Sequence, residues 1–90
     1  MDIAMERKVK GGKMVKIKAR IEEGVIKDIK ITGDFFVYPE VGVEDIEQAV
    51  IGLRRDKEVI KNEIRKVLRE KGIRLIGFSE EDVAEMISQS

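Results

Sequence analysis

From Met14 to Ile21 the chain reads MVKIKARI, and its alternation has no exception. Val15, Ile17, Ala19 and Ile21 fall on one side, and Lys16, Lys18 and Arg20 on the other. A period of two sends successive side chains to opposite faces of a pleated strand, so the stretch predicts a strand with one dry face and one wet face. Such a strand belongs to an antiparallel sheet covered on a single side. Glu22 to Gly24 then supply a short hairpin signal, with Gly24 free to take a positive φ. The return strand, VIKDIKIT, is out of phase with itself: Val25 and Ile26 are adjacent, whereas Ile29 and Ile31 alternate. One extra residue near Lys27 and Asp28, a β-bulge, reconciles the two halves. Upstream, Met5 to Val9 forms a third strand, joined to the hairpin through Lys10–Lys13 (KGGK).

After Pro39 the period changes to 3.6. Val43, Ile46, Ala49, Val50 and Leu53 make one helical stripe, and Ile60, Ile64, Val67 and Leu68 make a second. The second helix has a start signal in Asp56 and a stop signal in Gly72, which follows a basic last turn of Arg69 and Lys71. IRLIGF is a short extended piece. Ser79 and Asp82 then stand at capping-box spacing, flanked by Phe78 and Val83 as a hydrophobic staple, ahead of a last helix carrying Val83, Met86 and Ile87. Strands first and helices afterwards predict an α+β domain: a small antiparallel sheet of three or so strands followed by three helices packed on one face.

Ninety residues make a single domain, spanning 1–90, with room for one modest core and little room for a deep catalytic cleft. Charged residues make up 40% of the chain, well above the globular norm, and amides are scarce. That Lys/Glu-rich surface fits a protein from a hot environment, where ion-pair networks gain value. Without Cys or His the chain can build no disulfide, thiol nucleophile or common zinc site, and it lacks the usual general base near neutral pH. The charged start and the lack of a long apolar run make a soluble cytoplasmic protein the expectation.

Several chemical motifs are only half present. Gly11–Met14 (GGKM) lacks the spacing of a phosphate loop, has Met14 in place of the hydroxyl residue, and precedes a strand rather than a helix. Val50–Ile60 has Gly52 but Arg55 where an RNA-binding GxxG loop needs its second glycine. Arg7 to Arg20 carries seven basic residues and no acid, yet no aromatics interleave for base stacking. Its lysines read first as the wet face of a sheet, then as a site for an acidic partner or nucleotide charge, and last as a nucleic-acid surface. Glu80, Glu81 and Asp82 are accounted for by a helix N-terminus. The residues alone therefore favour a binding or accessory role over stand-alone catalysis.

Three of the four aromatic residues, Phe35, Phe36 and Tyr38, crowd into GDFFVYP. Gly33 permits a turn that β-branched residues could not make, and Asp34 can tie that turn with its own side chain. Neighbouring residues on extended chain face opposite ways, so Phe35 is expected to fill the core while Phe36 and Tyr38 face outward.

The strings Gly12–Lys13–Met14–Val15, Gly33–Asp34–Phe35–Phe36, Pro39–Glu40 and Gly77–Phe78–Ser79–Glu80–Glu81–Asp82 together resemble the small C-terminal domain of lipoate–protein ligases. The resemblance runs over roughly Arg7 to Ile87. In most bacteria that domain follows a large catalytic domain in one chain, whereas this sequence carries it alone, like the separate small subunit of archaeal two-subunit ligases. The resemblance implies a non-catalytic accessory subunit, working as a heterodimer with a large catalytic subunit. Together they would activate lipoate with ATP and Mg²⁺ to lipoyl-adenylate and pass the lipoyl group to acceptor lysines. It implies acceptors among acyltransferase subunits of 2-oxoacid dehydrogenases and the glycine-cleavage H protein, and no cofactor bound by this chain alone.

On that reading Phe36, Tyr38, Asp34, Lys16 and Lys18 are the expected contacts with the catalytic subunit. Gly12 and Lys13 are the expected assistants at its active site, and Gly33 and Pro39 shape the turn. The alternative from another class is a small basic-faced nucleic-acid-binding module. Neither reading involves a membrane.

Overall fold

A computed structural model describes residues 1–10 and 12–89. Three strands open the chain: β1 (Asp2–Lys8), β2 (Met14–Glu22) and β3 (Val25–Gly33), antiparallel in the order β1-β2-β3. β4 (Phe36–Tyr38) and α1 (Gly42–Val50) follow. The chain then forms α2 (Lys57–Lys71), β5 (Arg74–Ile76) and α3 (Glu80–Gln89). The architecture is the expected α+β, with helices on one face of the sheet. The dry side of the hairpin, Val15, Ile17, Ala19, Ile21, Ile26, Ile29 and Ile31, is buried together with Ile46, Val50, Ile60, Ile64, Val83, Met86 and Ile87 from the helices.

The local signals take the forms that the chemistry requires. The hairpin turn is Glu23–Gly24, with φ of 53° and 76°, so both residues occupy the left-handed region that matches the strand twist. Arg20 pairs with Asp28 and Ile21 with Ile26, which leaves Lys27 as the extra residue of a bulge. That bulge lets Ile26 share the buried face with Ile29 and Ile31. Asp56 Oδ1 accepts from the backbone N–H groups of Glu58 and Val59 at the start of α2, and Gly72, at φ 63°, donates to Leu68 O at its end. Ser79 and Asp82 cap α3 reciprocally: Ser79 N donates to Asp82 Oδ2 at 2.8 Å, and Asp82 N donates to Ser79 Oγ at 3.2 Å. Ion pairs tie the elements together, Lys57 to Glu81 and Glu85, Arg65 to Glu80, Lys71 to Asp45 and Arg7 to Glu85.

Two expectations need correction, and one pairing adds to the expected sheet. The first strand begins at Asp2 rather than Met5 and is in register with β2 along its whole length. Its alternation is weak because its inward side chains are only half-buried. Leu53 is not on α1. The helix stops at Val50, and Gly52, at φ 91°, turns the chain back against β3. There Gly52 N donates to Ile26 O at 2.7 Å, and Leu53 O accepts from Ile26 N at 2.9 Å. The segment that half-matched an RNA-binding loop is thus a connection anchored along a strand edge. Finally, a second sheet joins the first: β4 pairs antiparallel with β5, two strands each three residues long. Pieces this short carry no periodicity of their own.

Candidate functional site

Gly33 ends β3 against the start of β2. A Cβ at this position would collide with the carbonyl oxygen of Met14 and lie 2.8 Å from the ring of Phe35, so only glycine fits. The next residue holds the junction together. Asp34 N donates to Met14 O at 3.2 Å, and Met14 N donates to Asp34 Oδ1 at 2.6 Å. The carboxylate of Asp34 thus clamps the first residue of β2 rather than its own turn, which corrects the local tie expected from the sequence.

Phe35 turns inward. Its ring lies against that of Phe78, with centroids 4.1 Å apart and planes tilted by 33°. Beside Phe78, Gly77 has φ 94°, and the space a Cβ would take there is filled by the stem of Lys13, whose Cγ would be 2.8 Å away. Lys13 itself sits on a turn closed by Val9 N donating to Lys13 O at 2.8 Å and Gly12 N donating to Val9 O at 2.9 Å. Gly11 of the same turn lies outside the described residues. Three strings far apart in sequence, around Lys13, Gly33–Phe35 and Gly77–Phe78, therefore converge on one corner. The aliphatic stem of Lys13 is packed there, and among the described residues no carboxylate pairs with its ammonium.

From that corner β4 and β5 run out as a two-stranded ribbon. Phe36 pairs with Ile76, Val37 with Leu75, and Tyr38 with Arg74. Val37 and Leu75 face the core, while the other four side chains face solvent. Phe36 is 65% exposed, Tyr38 69% and Ile76 51%, with Val41 exposed just beyond. Gly42 seats the ribbon against α1, because a Cβ there would press on Ile73 and Val37. Pro39 lies in the connecting turn, and its carbonyl accepts from Gly42 N at 2.8 Å. Scattered exposed apolar residues are ordinary, but a contiguous patch of them marks a surface that something covers.

The residues singled out from sequence do not all gather here. Phe36 and Tyr38 share the ribbon, and Asp34, Gly33, Gly12 and Lys13 share the adjoining corner. Lys16 and Lys18 lie elsewhere, on the sheet face turned away from the helices. There Lys18 stands between Ala4 and Lys30, and Lys16 between Glu6 and Thr32. Sequence reasoning missed Ile76, Arg74 and Val41. The available signal was IRLI, whose alternating residues could have been paired with FVY. It also missed Glu47, 7% exposed, whose Oε2 accepts from Ile31 N at 2.7 Å. Among the described residues no group of three or more acidic, His or Cys side chains could hold a metal ion, and no helix is long and apolar enough to cross a membrane.

This arrangement matches known proteins over nearly its whole length. No curated protein matches the chain in sequence. It is, however, 26% identical to a chain from a structural study of an archaeal lipoylation system, a bipartite lipoate protein ligase and its E2 lipoyl domain from Thermoplasma acidophilum. That likeness has a TM-score of 0.75 and covers 97% of both chains. The family model described as the bacterial lipoate protein ligase C-terminus matches residues 1–87, and the chain belongs to that family.

Proposed function

We propose that this chain is the accessory subunit of a two-protein lipoate–protein ligase. It docks through the β4–β5 ribbon onto a separate catalytic subunit and makes that subunit competent to activate lipoate. The carrying observation is the exposed run of Phe36, Tyr38 and Ile76 on the outer face of a ribbon whose inner residues, Val37 and Leu75, pack against the core. Aromatic side chains are the usual anchors of protein interfaces, and a handful of them carries most of the binding energy. The likeness to a chain of a bipartite ligase supports the choice of partner.

In this reading ATP, Mg²⁺ and lipoate are held by the catalytic subunit, which also forms lipoyl-adenylate and passes the lipoyl group to lysines of acceptor proteins. Lys13 is the one group of this chain assigned near that chemistry. Its stem packs over Gly77 and its ammonium has no ion-pair partner among the described residues, so it can present positive charge to phosphate oxygens across the interface. A nucleic-acid role gains no support from the lysine face, because all four aromatic residues lie outside its strands.

Mixing the chain with the catalytic subunit and following lipoate-dependent pyrophosphate release is the test. Release is expected from the mixture and from neither protein alone. Full activity of the catalytic subunit by itself would overturn the proposal. Lys13→Ala is expected to lower release in the mixture by at least about tenfold with subunit association unchanged, as befits a charge felt mainly in the transition state.

A further inference from the structure

The two edges of the three-stranded sheet are treated differently. On the β3 edge, donors are occupied by the chain's own groups. Ile26 N donates to Leu53 O, Ile29 N to Asp28 Oδ1, and Ile31 N to the buried Glu47. On the β1 edge nothing of the kind occurs. Met1 and Ile21 exchange both backbone hydrogen bonds, and Val9 N donates to Lys13 O. The alternation of an antiparallel ladder therefore points the odd residues of β1 at β2 and turns the backbone groups of Asp2, Ala4, Glu6 and Lys8 outward. Among the described residues none of those outward groups has a partner. An open edge of this length is a template for another strand.

The side chains decide which strand fits. Asp2, Glu6 and Lys8 stand along the edge, and charges of this kind repel most strands that approach. They are, however, complementary to themselves in one antiparallel register. When Met5 faces Met5 of a second copy, Asp2 lies opposite Lys8, Ala4 opposite Glu6, and every outward backbone group meets its counterpart. Sliding by two residues sets Asp2 against Glu6 in one direction and Glu6 against Glu6 in the other. Sliding by one leaves the outward groups facing groups already bonded to β2. The half-buried Ile3 and Met5 would be covered by the same pairing.

We infer that β1 is a keyed edge that pairs with β1 of a second copy of this chain, joining two three-stranded sheets into one continuous sheet about a two-fold axis. The inference is independent of the ligase reading, because it uses none of the ribbon or corner residues. A strand-to-strand contact buries little surface, so the dimer is a weak one that populates with concentration.

The test uses the full chain in sedimentation equilibrium over a wide concentration range. Ala4→Pro removes only an outward N–H that the fold leaves unused, so the folded monomer survives. It is expected to raise the dimer dissociation constant by at least about tenfold. Lys8→Asp should do the same, and adding Asp2→Lys to it should restore dimerisation. Because the chain has no cysteine, Met5→Cys is expected to give a covalent dimer on mild oxidation, since facing residues of a non-hydrogen-bonded pair lie within disulfide reach. Ile3→Cys, opposite Arg7 in this register, is expected to give none. A chain that stays monomeric throughout, or one that cross-links equally through both cysteines, would overturn the assignment. So would an Ala4→Pro variant whose only defect is weaker binding to the catalytic subunit, because the edge would then belong to that subunit.

Discussion

On the three-stranded sheet the positions facing away from the core hold Lys16, Lys18 and Lys30, whereas on the β4–β5 ribbon they hold Phe36, Tyr38 and Ile76. Both sheets obey the same pleat, and both turn aliphatic residues inward. The difference lies wholly in what is left outside. Lysines on the pleated face keep their water, so that face needs no cover. Exposed rings and an isoleucine gain nothing from water, and in the proposed function their burial against the catalytic subunit is the favourable process. On the proposed function, the contrast separates residues that make the domain from residues that dock onto the catalytic subunit, and it is most clearly tested by variants in which only one of the two properties moves.

The largest effect is expected inside the three-stranded sheet. Ile17, 1% exposed at the centre of β2, loses most of its contacts when it becomes alanine, and a packed core relaxes only partly into such a space. Ile17→Ala should destabilise the fold by about 2–5 kcal/mol, which for a domain of this size is a drop in Tm of tens of degrees or an unfolded chain. The fraction that stays folded should bind the catalytic subunit normally. Thermal melts and titration of the folded fraction check both halves. Impaired binding by folded protein would mean that the sheet and the docking surface are coupled.

Phe36→Ala is the converse. With its ring in solvent, its removal should leave the Tm within a degree or two while weakening association with the catalytic subunit by about 2 kcal/mol, roughly thirtyfold. Phe35→Ala, one residue away, should reverse the pattern, because its ring is packed on Phe78. Calorimetry of the two variants beside each other measures how sharply the chain changes roles within two consecutive phenylalanines. Equal loss of stability in both would erase the distinction between core and ribbon.

These adjacent rings also show how much could be read before the structure. Alternation and helical spacing are long-lived signals, so the hairpin, its bulge at Lys27, the caps at Asp56, Gly72 and Ser79 and the inward turn of Phe35 were all legible. The β4–β5 pairing was not, because three-residue strands acquire their identity only from each other. Nor was the role of Asp34, whose partner Met14 is twenty residues away in sequence. Glu47 illustrates a signal that was present and passed over. Helical spacing from Val43 and Val50 puts it on the apolar face of α1, and an acid there needs a buried donor, which β3 supplies through Ile31 N. The convergence of Lys13, Gly33 and Gly77 on one corner rests on backbone close approach, a property that sequence expresses only as an unexplained glycine.

The smallest effect concerns the lysines that sequence reasoning grouped with Phe36 and Tyr38. Lys18 faces Lys30 directly across the strands, with Ala4 on its other side, and among the described residues neither lysine has an ion-pair partner. Like charges opposite one another are unfavourable, so Lys18→Glu should convert a repulsion into an attraction and stabilise the fold by about 0.2–1 kcal/mol. If the wet face is only a wet face, the same variant binds the catalytic subunit as well as the original chain. A slight rise in Tm with unchanged affinity leaves Lys18 and its face out of the docking function. A rise in Tm with a sharp fall in affinity, strongest at low salt, would instead extend the interface around the edge of β3 onto the lysines. The two sheets would then differ in the chemistry by which they bind rather than in whether they bind.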